Sequence, residues 1–369
     1  MFLSYPNKKS EQEILYFEKS NIKYPTWNNQ LNKLFHGENL YILKLLLYQY
    51  NLKNKIDLIY IDPPFATNNI FKIEQERANT ISMSANGDIA YSDKLSGYDF
   101  IEFLRERLII ARELLSEQGS IYLHIDYKIG HYIKIIMDEI FGKENFKNDI
   151  TRIKCNPKNF NRKAYGNIKD LILFYSKSKK LIWNTPYTKY TEEDIAKLYK
   201  KRDKNGRAYT TVPLHAPGET KNGLTNQPFK GILPPKGRHW RCSPKELEEL
   251  DTKGLIEWSE NNNPRKIIYA DEQLGKKSQD VWEYKDPQYP VYPTEKNFEM
   301  LKQIIKASSN ENSIVMDFFC GSGTTLLAAQ ELSRQWIGID QSAHAIKISQ
   351  SKLKKFANQY EVIQLNSPQ

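Results

Sequence analysis

What this chain has little of narrows the field first. Three cysteines occur in 369 residues, and Cys155, Cys242 and Cys320 are too widely spaced for a disulfide framework or a zinc knuckle. The six histidines are scattered without metal-ligand spacing, so no metal is expected. His124 and His239 read instead as packing or hydrogen-bonding residues. No apolar run approaches membrane length and no signal-peptide core opens the chain. No membrane partner is therefore expected, and the expected location is the reducing cytoplasm. Internal repeats and extended low-complexity tracts are missing as well.

What is present is an excess of positive charge. The formal charge is +10 and the pI about 9.1, which favours a polyanionic partner. Residues 151–180 hold nine Lys or Arg, including Arg152, Lys154, Lys158, Arg162 and Lys163, against the single acid Asp170. Phe160, Tyr165 and several Asn are interleaved with these cations, a pattern that reads as a phosphate-contacting surface.

Hydrophobic rhythm divides the chain. Residues 1–30 have no clear period and read as an arm or lid. A short strand at 34–36, a helix from Asn39 to about 50 and a buried strand at 56–61 follow. Residues 66–95 are polar and without apolar rhythm, an unusually long connection that is expected to be mobile. Helix 98–115, strand 120–125, helix 130–140 and strand 168–175 restore the α/β alternation. Turn signals then crowd 181–285, which reads as an inserted, irregular or strand-rich domain with Trp240 and Trp258 as core or partner contacts. Helix 298–308, strand 314–318, helix 324–332, strand 336–339 and helix 343–356 complete the pattern. The expected domains are thus an arm (1–30), one half of an α/β domain (31–180), an insertion (181–285) and the other half (286–369).

Two strand ends carry chemistry. After strand 314–318 comes Asp317-Phe318-Phe319-Cys320-Gly321-Ser322-Gly323-Thr324-Thr325, where Gly321 and Gly323 let the backbone turn tightly and approach a ligand. Asp340 ends the next strand, where a carboxylate can accept hydrogen bonds from both hydroxyls of a ribose. The Gly-x-Gly-x-x-Gly fingerprint of dinucleotide domains is absent, and no Lys-Ser/Thr pair follows the glycines as in a phosphate-binding loop. A cofactor with a ribose and no phosphate fits better, and S-adenosylmethionine is one that also carries a transferable methyl group.

Strand 56–61 ends in Asp62-Pro63-Pro64-Phe65. The exocyclic amine of adenine or cytosine is a poor nucleophile because its lone pair is delocalised into the ring. An acceptor on each N–H can draw the nitrogen toward tetrahedral geometry. Asp62 can accept one hydrogen bond, and the carbonyl of Pro63, fixed by two successive prolines, the other. Phe65 can stack on the base, which implies a base extruded from the duplex. A strand-ending turn is the plainer reading of this tetrapeptide alone, and the glycine-rich strand end argues against it.

With both motifs in view, the chain resembles the amino-methylating DNA methyltransferases of permuted, beta-class motif order. The resemblance spans about 34–180 and 290–356. Asp62-Pro63-Pro64-Phe65 is similar to their catalytic motif, with Phe in place of the usual Tyr. Asp317, Phe318, Cys320, Gly321, Ser322, Gly323, Thr324 and Thr325 fall in their cofactor signature, and Asp340 resembles its ribose ligand. Pro293, Thr294 and Lys296 match a segment lining the methionine portion of the cofactor, and Gly37-Glu38 the acidic step near its adenine.

The resemblance implies a Rossmann-like seven-stranded α/β sheet assembled from both chain halves, a target-recognition domain in 181–285, and a 66–95 segment that orders around the flipped base. It also implies methyl transfer from S-adenosylmethionine to adenine N6 in double-stranded DNA, since cytosine-N4 enzymes usually start the tetrapeptide with Ser. Cytosine N4 is the close alternative, and a non-catalytic DNA-binding subunit that keeps the fold is the reading from another class. Many relatives form homodimers and act beside a cognate restriction endonuclease. In 181–285, Arg207, Arg238 and Arg241 are candidates for gripping phosphate or a guanine edge.

Overall fold

The computed structural model describes residues 2–17, 25–28, 31–64, 97–157, 161, 163–220, 222–288 and 295–365, together with three short strands at 70–74, 77–78 and 88–92. Two compact units result, one made of Met1–Pro186 with Gln279–Gln369 and the other of Tyr187–Ser278.

The first unit is built on Asn32–His36 (β1), Asn39–Tyr48 (α1), Ile56–Ile61 (β2), Gly97–Leu114 (α2), Leu115–Ile125 (β3), Tyr127–Phe141 (α3), Phe146–Ile153 (β4), Lys169–Ser176 (β5), Val281–Trp282 (β6), Phe298–Ser308 (α4), Ile314–Asp317 (β7), Thr324–Glu331 (α5), Gln335–Asp340 (β8), Ala343–Lys352 (α6) and Tyr360–Gln364 (β9). The strands form one sheet in the order β6-β4-β5-β3-β2-β7-β8-β1-β9. Neighbours are parallel except where β5 runs against β3 and β4. The sheet has nine strands among the described residues, not seven. One addition is the two-residue β6, which pairs with Thr151 and Arg152 as the chain re-enters the sheet.

The strands alternate between two cores. Ile59 and Ile61 of β2 face one hydrophobic cluster with residues of α1, α2 and α3, while Leu58 and Tyr60 face another with residues of α4, α5 and α6. Burial on both faces explains the nearly continuous apolar run of β2. The helices start where side chains satisfy their free amides. Glu38 accepts from the amides of Leu40 and Tyr41, Asp126 from that of Lys128, and Asn297 from that of Met300.

Residues 2–17 form a strap on α2 and α3. Tyr5 and Ile14 are buried in the first core, and the Tyr5 hydroxyl donates to Glu102 Oε2 at 2.5 Å. Ion pairs Lys8–Glu139 and Glu11–Arg112 hold the same segment. Within the connection after β2, strands Ile70–Glu74, Arg77–Ala78 and Asp88–Ser92 form a small antiparallel sheet, where the sequence shows no apolar rhythm.

The second unit is strand-rich. Lys201–Arg202, Ala208–Pro213, Pro264–Tyr269 and Ile256–Trp258 form a four-stranded antiparallel sheet, and His215–Pro217 pairs with Arg238–Trp240. Its core gathers Leu214, Phe229, Trp240 and Leu247, with Trp258 packed against it. The Trp240 indole N–H donates to the Gln227 carbonyl at 3.0 Å, so burying the ring leaves no orphaned polar atom.

Candidate active site

The strand order reverses at the centre of the first unit. β2 passes the chain through α2 to β3 on one side, and β7 passes it through α5 to β8 on the other. Open α/β sheets bind ligands at the carboxyl ends of such diverging strands. There β2 ends in Asp62, adjacent β7 ends in Asp317, and β8 ends in Asp340.

The glycine turn is held by the next strand. The Gly321 amide donates to Asp340 Oδ2 at 2.9 Å, and the Ser342 amide to Oδ1 at 2.8 Å. Each carboxylate oxygen keeps a lone pair for a further donor. Gly323 has φ 73° and caps α5, and a Cβ there would sit 2.7 Å from Ser349 Oγ. Asp317 accepts from the Phe319 amide. Burial first, then the charges of Asp62 and Asp340, push its carboxyl up to about 7. Phe318 and Cys320 lie buried beneath the turn, Thr324 and Thr325 are buried at the start of α5, and the thiol of Cys320 is pushed up by burial.

The donor set can be tested against the candidate cofactors. Asp340, anchored beside the glycine turn by the Gly321 and Ser342 amides, keeps acceptor capacity for ribose hydroxyls, so the residues present fit S-adenosylmethionine.

Asp62 is mostly withdrawn from solvent. Lys296 Nζ lies 2.5 Å from Asp62 Oδ2, whereas Oδ1 is buried and has no hydrogen-bond partner among the described residues. Pro63 is buried behind it. Phe65, Pro293 and Thr294 lie outside the described residues. Lys296, expected to line the cofactor, therefore meets the catalytic candidate. Glu38 caps α1 and also pairs with Arg107 Nη2 at 2.5 Å, so its carboxylate is engaged in the fold.

The basic stretch needs correction. Arg152 was expected on a phosphate-contacting surface, yet its side chain is 0% exposed. It donates to the Tyr284 carbonyl and to Asp286, and lies 3.5 Å from Asp170. Lys154 reaches Asp170 at 2.6 Å. Asp170 also faces His124 Nε2 at 3.2 Å, and His124 Nδ1 faces the Tyr60 hydroxyl at 3.0 Å. Burial pushes His124 down, against the hydrogen bond to Asp170. Burial also works to raise Asp170, but the His124 hydrogen bond and the Lys154 ammonium outweigh it and hold that carboxyl well below the usual range. Counting charges along the chain misses this network because Asp286 lies far from the cations in sequence, and because Asp170, the one acid of the stretch, serves both Arg152 and Lys154. Lys163 is exposed, as expected, while Lys158 and Arg162 lie outside the described residues.

In the second unit, Arg207 chelates Asp271 with two 2.9 Å bonds, pairs with Glu272 and stacks over Tyr269. Its charge is largely spent within the unit. Arg238 and Arg241 are exposed, the first beside His215 Nδ1 and the second donating to the Pro213 carbonyl.

Sequence reading missed several supports of the site. Arg107, on α2 and buried, donates to Asn39 Oδ1, and Asn39 Nδ2 donates to the Phe318 carbonyl. Lys352 donates to Ser322 Oγ and Thr324 Oγ1 and pairs with Glu295. Arg107 closes the charged triplet Arg105-Glu106-Arg107, so its sequence neighbours do not single it out. Nothing local marks Lys352 either.

Such a sheet, with a glycine turn held by Asp340 at one strand end and a largely buried carboxylate, Asp62, at a neighbouring one, has the layout of an α/β ligand site at a topological switch point. The family model for N6/N4 methyltransferases, described as DNA methylase, matches residues 56–351. The chain is 40% identical to the type II methyltransferase M.EcaI of Enterobacter cloacae, over 96% of this chain and 77% of that protein. It is 27% identical to the type III restriction-modification enzyme StyLTI Mod subunit of Salmonella typhimurium, over 83% of this chain. It spans 51% of that subunit's length. A crystal structure of an M1.HpyAVI–SAM complex aligns with 87% of this chain and 99% of that one, at 20% identity and a TM-score of 0.45. The chain belongs to the N6/N4 DNA methylase family. It is a DNA methyltransferase that uses S-adenosylmethionine.

Proposed function

We propose that the enzyme methylates adenine N6 in double-stranded DNA, on a base flipped out of the helix, by direct attack of the amine. One observation carries this reading: Asp62 ends β2 with a buried carboxylate oxygen that no described residue satisfies. A buried carboxylate oxygen without a donor is costly, and the N–H of an incoming amine is the donor the site is shaped to receive. Asp62 Oδ1 accepts one amine hydrogen and the Pro63 carbonyl the other, which localises the nitrogen lone pair for in-line attack. When bound, the cofactor supplies an electrophilic sulfonium methyl. Asp340 accepts from its ribose hydroxyls and the amides of the glycine turn shape the cradle. Phe65 stacks on the flipped base. The surplus proton of the methylated amine leaves through Asp62 or water. The Asp-started tetrapeptide favours adenine over cytosine, and the restriction-modification names of the relatives favour a paired endonuclease.

The test is incorporation of labelled methyl into duplex DNA of mixed sequence, followed by nucleoside mass analysis. N6-methyladenine is the expected product. N4-methylcytosine would keep the mechanism and overturn the base assignment, and no product with verified cofactor binding would overturn the reading.

For the second unit, Arg238 and Arg241 are assigned to DNA phosphates. Replacing either with Ala is expected to weaken binding to all duplexes alike and to lower the slope of log K against log salt by about 1. Arg207→Ala should leave that slope unchanged, because its charge is already neutralised by Asp271 and Glu272. Fluorescence-anisotropy titrations over a range of salt would separate the three.

A further inference from the structure

The two oxygens of Asp62 are treated differently by the fold. Lys296 Nζ is 2.5 Å from Oδ2, with the two side chains 9% and 14% exposed. Oδ1 is buried and unpartnered among the described residues. The residue before Lys296 faces the other way. Glu295 pairs with Lys352, whose ammonium also donates to Ser322 Oγ at 2.9 Å and to Thr324 Oγ1 at 3.1 Å. The dipeptide Glu295–Lys296 therefore joins the glycine turn to the catalytic carboxylate.

We propose that Lys296 is a positioning residue for the methyl transfer, pinning Asp62 Oδ2 so that Oδ1 alone is presented to the substrate amine, with Glu295 and Lys352 fixing that setting against the glycine turn. The inference rests on Asp62 being the amine acceptor. A carboxylate on a single side-chain bond can rotate and offer its oxygens at many angles. A charge-assisted hydrogen bond to one oxygen removes that freedom, and fixed alignment of reacting groups is where much of an enzyme's rate enhancement resides. Lys296 touches neither the reacting nitrogen nor the methyl group in this scheme. Its effect passes through Asp62.

The experiment is a single-turnover measurement with saturating S-adenosylmethionine and methylatable duplex DNA, alongside separate titrations of cofactor and DNA. Lys296→Gln is expected to slow the methyl-transfer step by about 10²-fold, the usual scale for a small misalignment. Cofactor and DNA dissociation constants should stay within about threefold of the parent enzyme. Lys296→Arg keeps a cationic donor for Oδ2 and is expected to recover at least tenfold of the loss. Lys296→Met, with similar bulk and no charge, should be as slow as Gln. A parent-like rate for the Gln variant would overturn the inference, as would equal rates for Arg and Met, which also decide the matter if the Gln variant does not fold. A loss of cofactor affinity in proportion to the rate would overturn it too, making Lys296 a cofactor ligand. Asp62→Ala serves as the separate control: an active Asp62→Ala enzyme would refute the acceptor role itself, independently of Lys296.

Discussion

Asp62→Asn should lose methyl transfer by about 10³-fold or more while binding S-adenosylmethionine nearly as well as the parent enzyme. The asparagine has almost the shape of the aspartate, so the loss is chemical. Lys296 can only donate, and it will therefore claim the amide oxygen at the place where it now meets Oδ2. That turns the amide NH2 toward the position of Oδ1. A donor then faces the N–H of the substrate amine, where an acceptor is required. Asp62→Ala removes the acceptor without this reversal and should be similarly inactive. Single-turnover methyl incorporation beside calorimetric cofactor titration measures both quantities. Unchanged turnover in either variant would remove Asp62 from the chemistry.

The second large effect is on stability. Asp170 is 3% exposed and is the shared anion for Lys154 and Arg152 and the hydrogen-bond partner of His124. Asp170→Asn removes the charge and leaves a fully buried guanidinium partly uncompensated. Breaking a buried pair from one side typically costs about 3–5 kcal/mol. For a unit of this size that corresponds to a fall in Tm on the order of 10 °C.

The pH dependence follows from the depressed folded pKa of Asp170. Its stabilisation is complete above the unfolded value of roughly 3.9 and is lost as pH falls through the folded one. The parent and the variant should therefore differ fully at neutral pH and converge only in strong acid. Thermal melts across pH would show it, and equal melting temperatures at pH 7 would rule out the network as a major support.

Much of the central sheet could be read in advance, for identifiable reasons. The run Ile56–Ile61 is apolar at nearly every position because both faces of β2 are covered. The glycines at 321 and 323 mark the tight turn of the candidate cofactor site because both adopt positive φ, at 50° and 73°. Helix Phe298–Ser308 announces itself by apolar spacing. Other features depended on distant partners. Arg152 looks like surface charge until Asp286 arrives from the far side of the insertion. β9 was missed because Tyr360–Gln364 is short and alternates too weakly, and only pairing with β1 makes it a strand. The 2–17 strap has no rhythm because it is held by single anchors such as Tyr5 and Ile14.

The pairing of β2 with β7 also bears on how the chain is made. Leu58 lies opposite Val315, so the two central strands are separated by most of the polypeptide. On the ribosome the N-terminal half emerges first and must wait, with the side of β2 destined for β7 uncovered, until the entire Tyr187–Ser278 unit and α4 have been synthesised. Pairings this remote in sequence form slowly, and half-finished sheets with open edges are prone to aggregation. Yield of active enzyme should therefore respond to translation speed and to chaperone capacity more sharply than the stability of the finished fold would suggest.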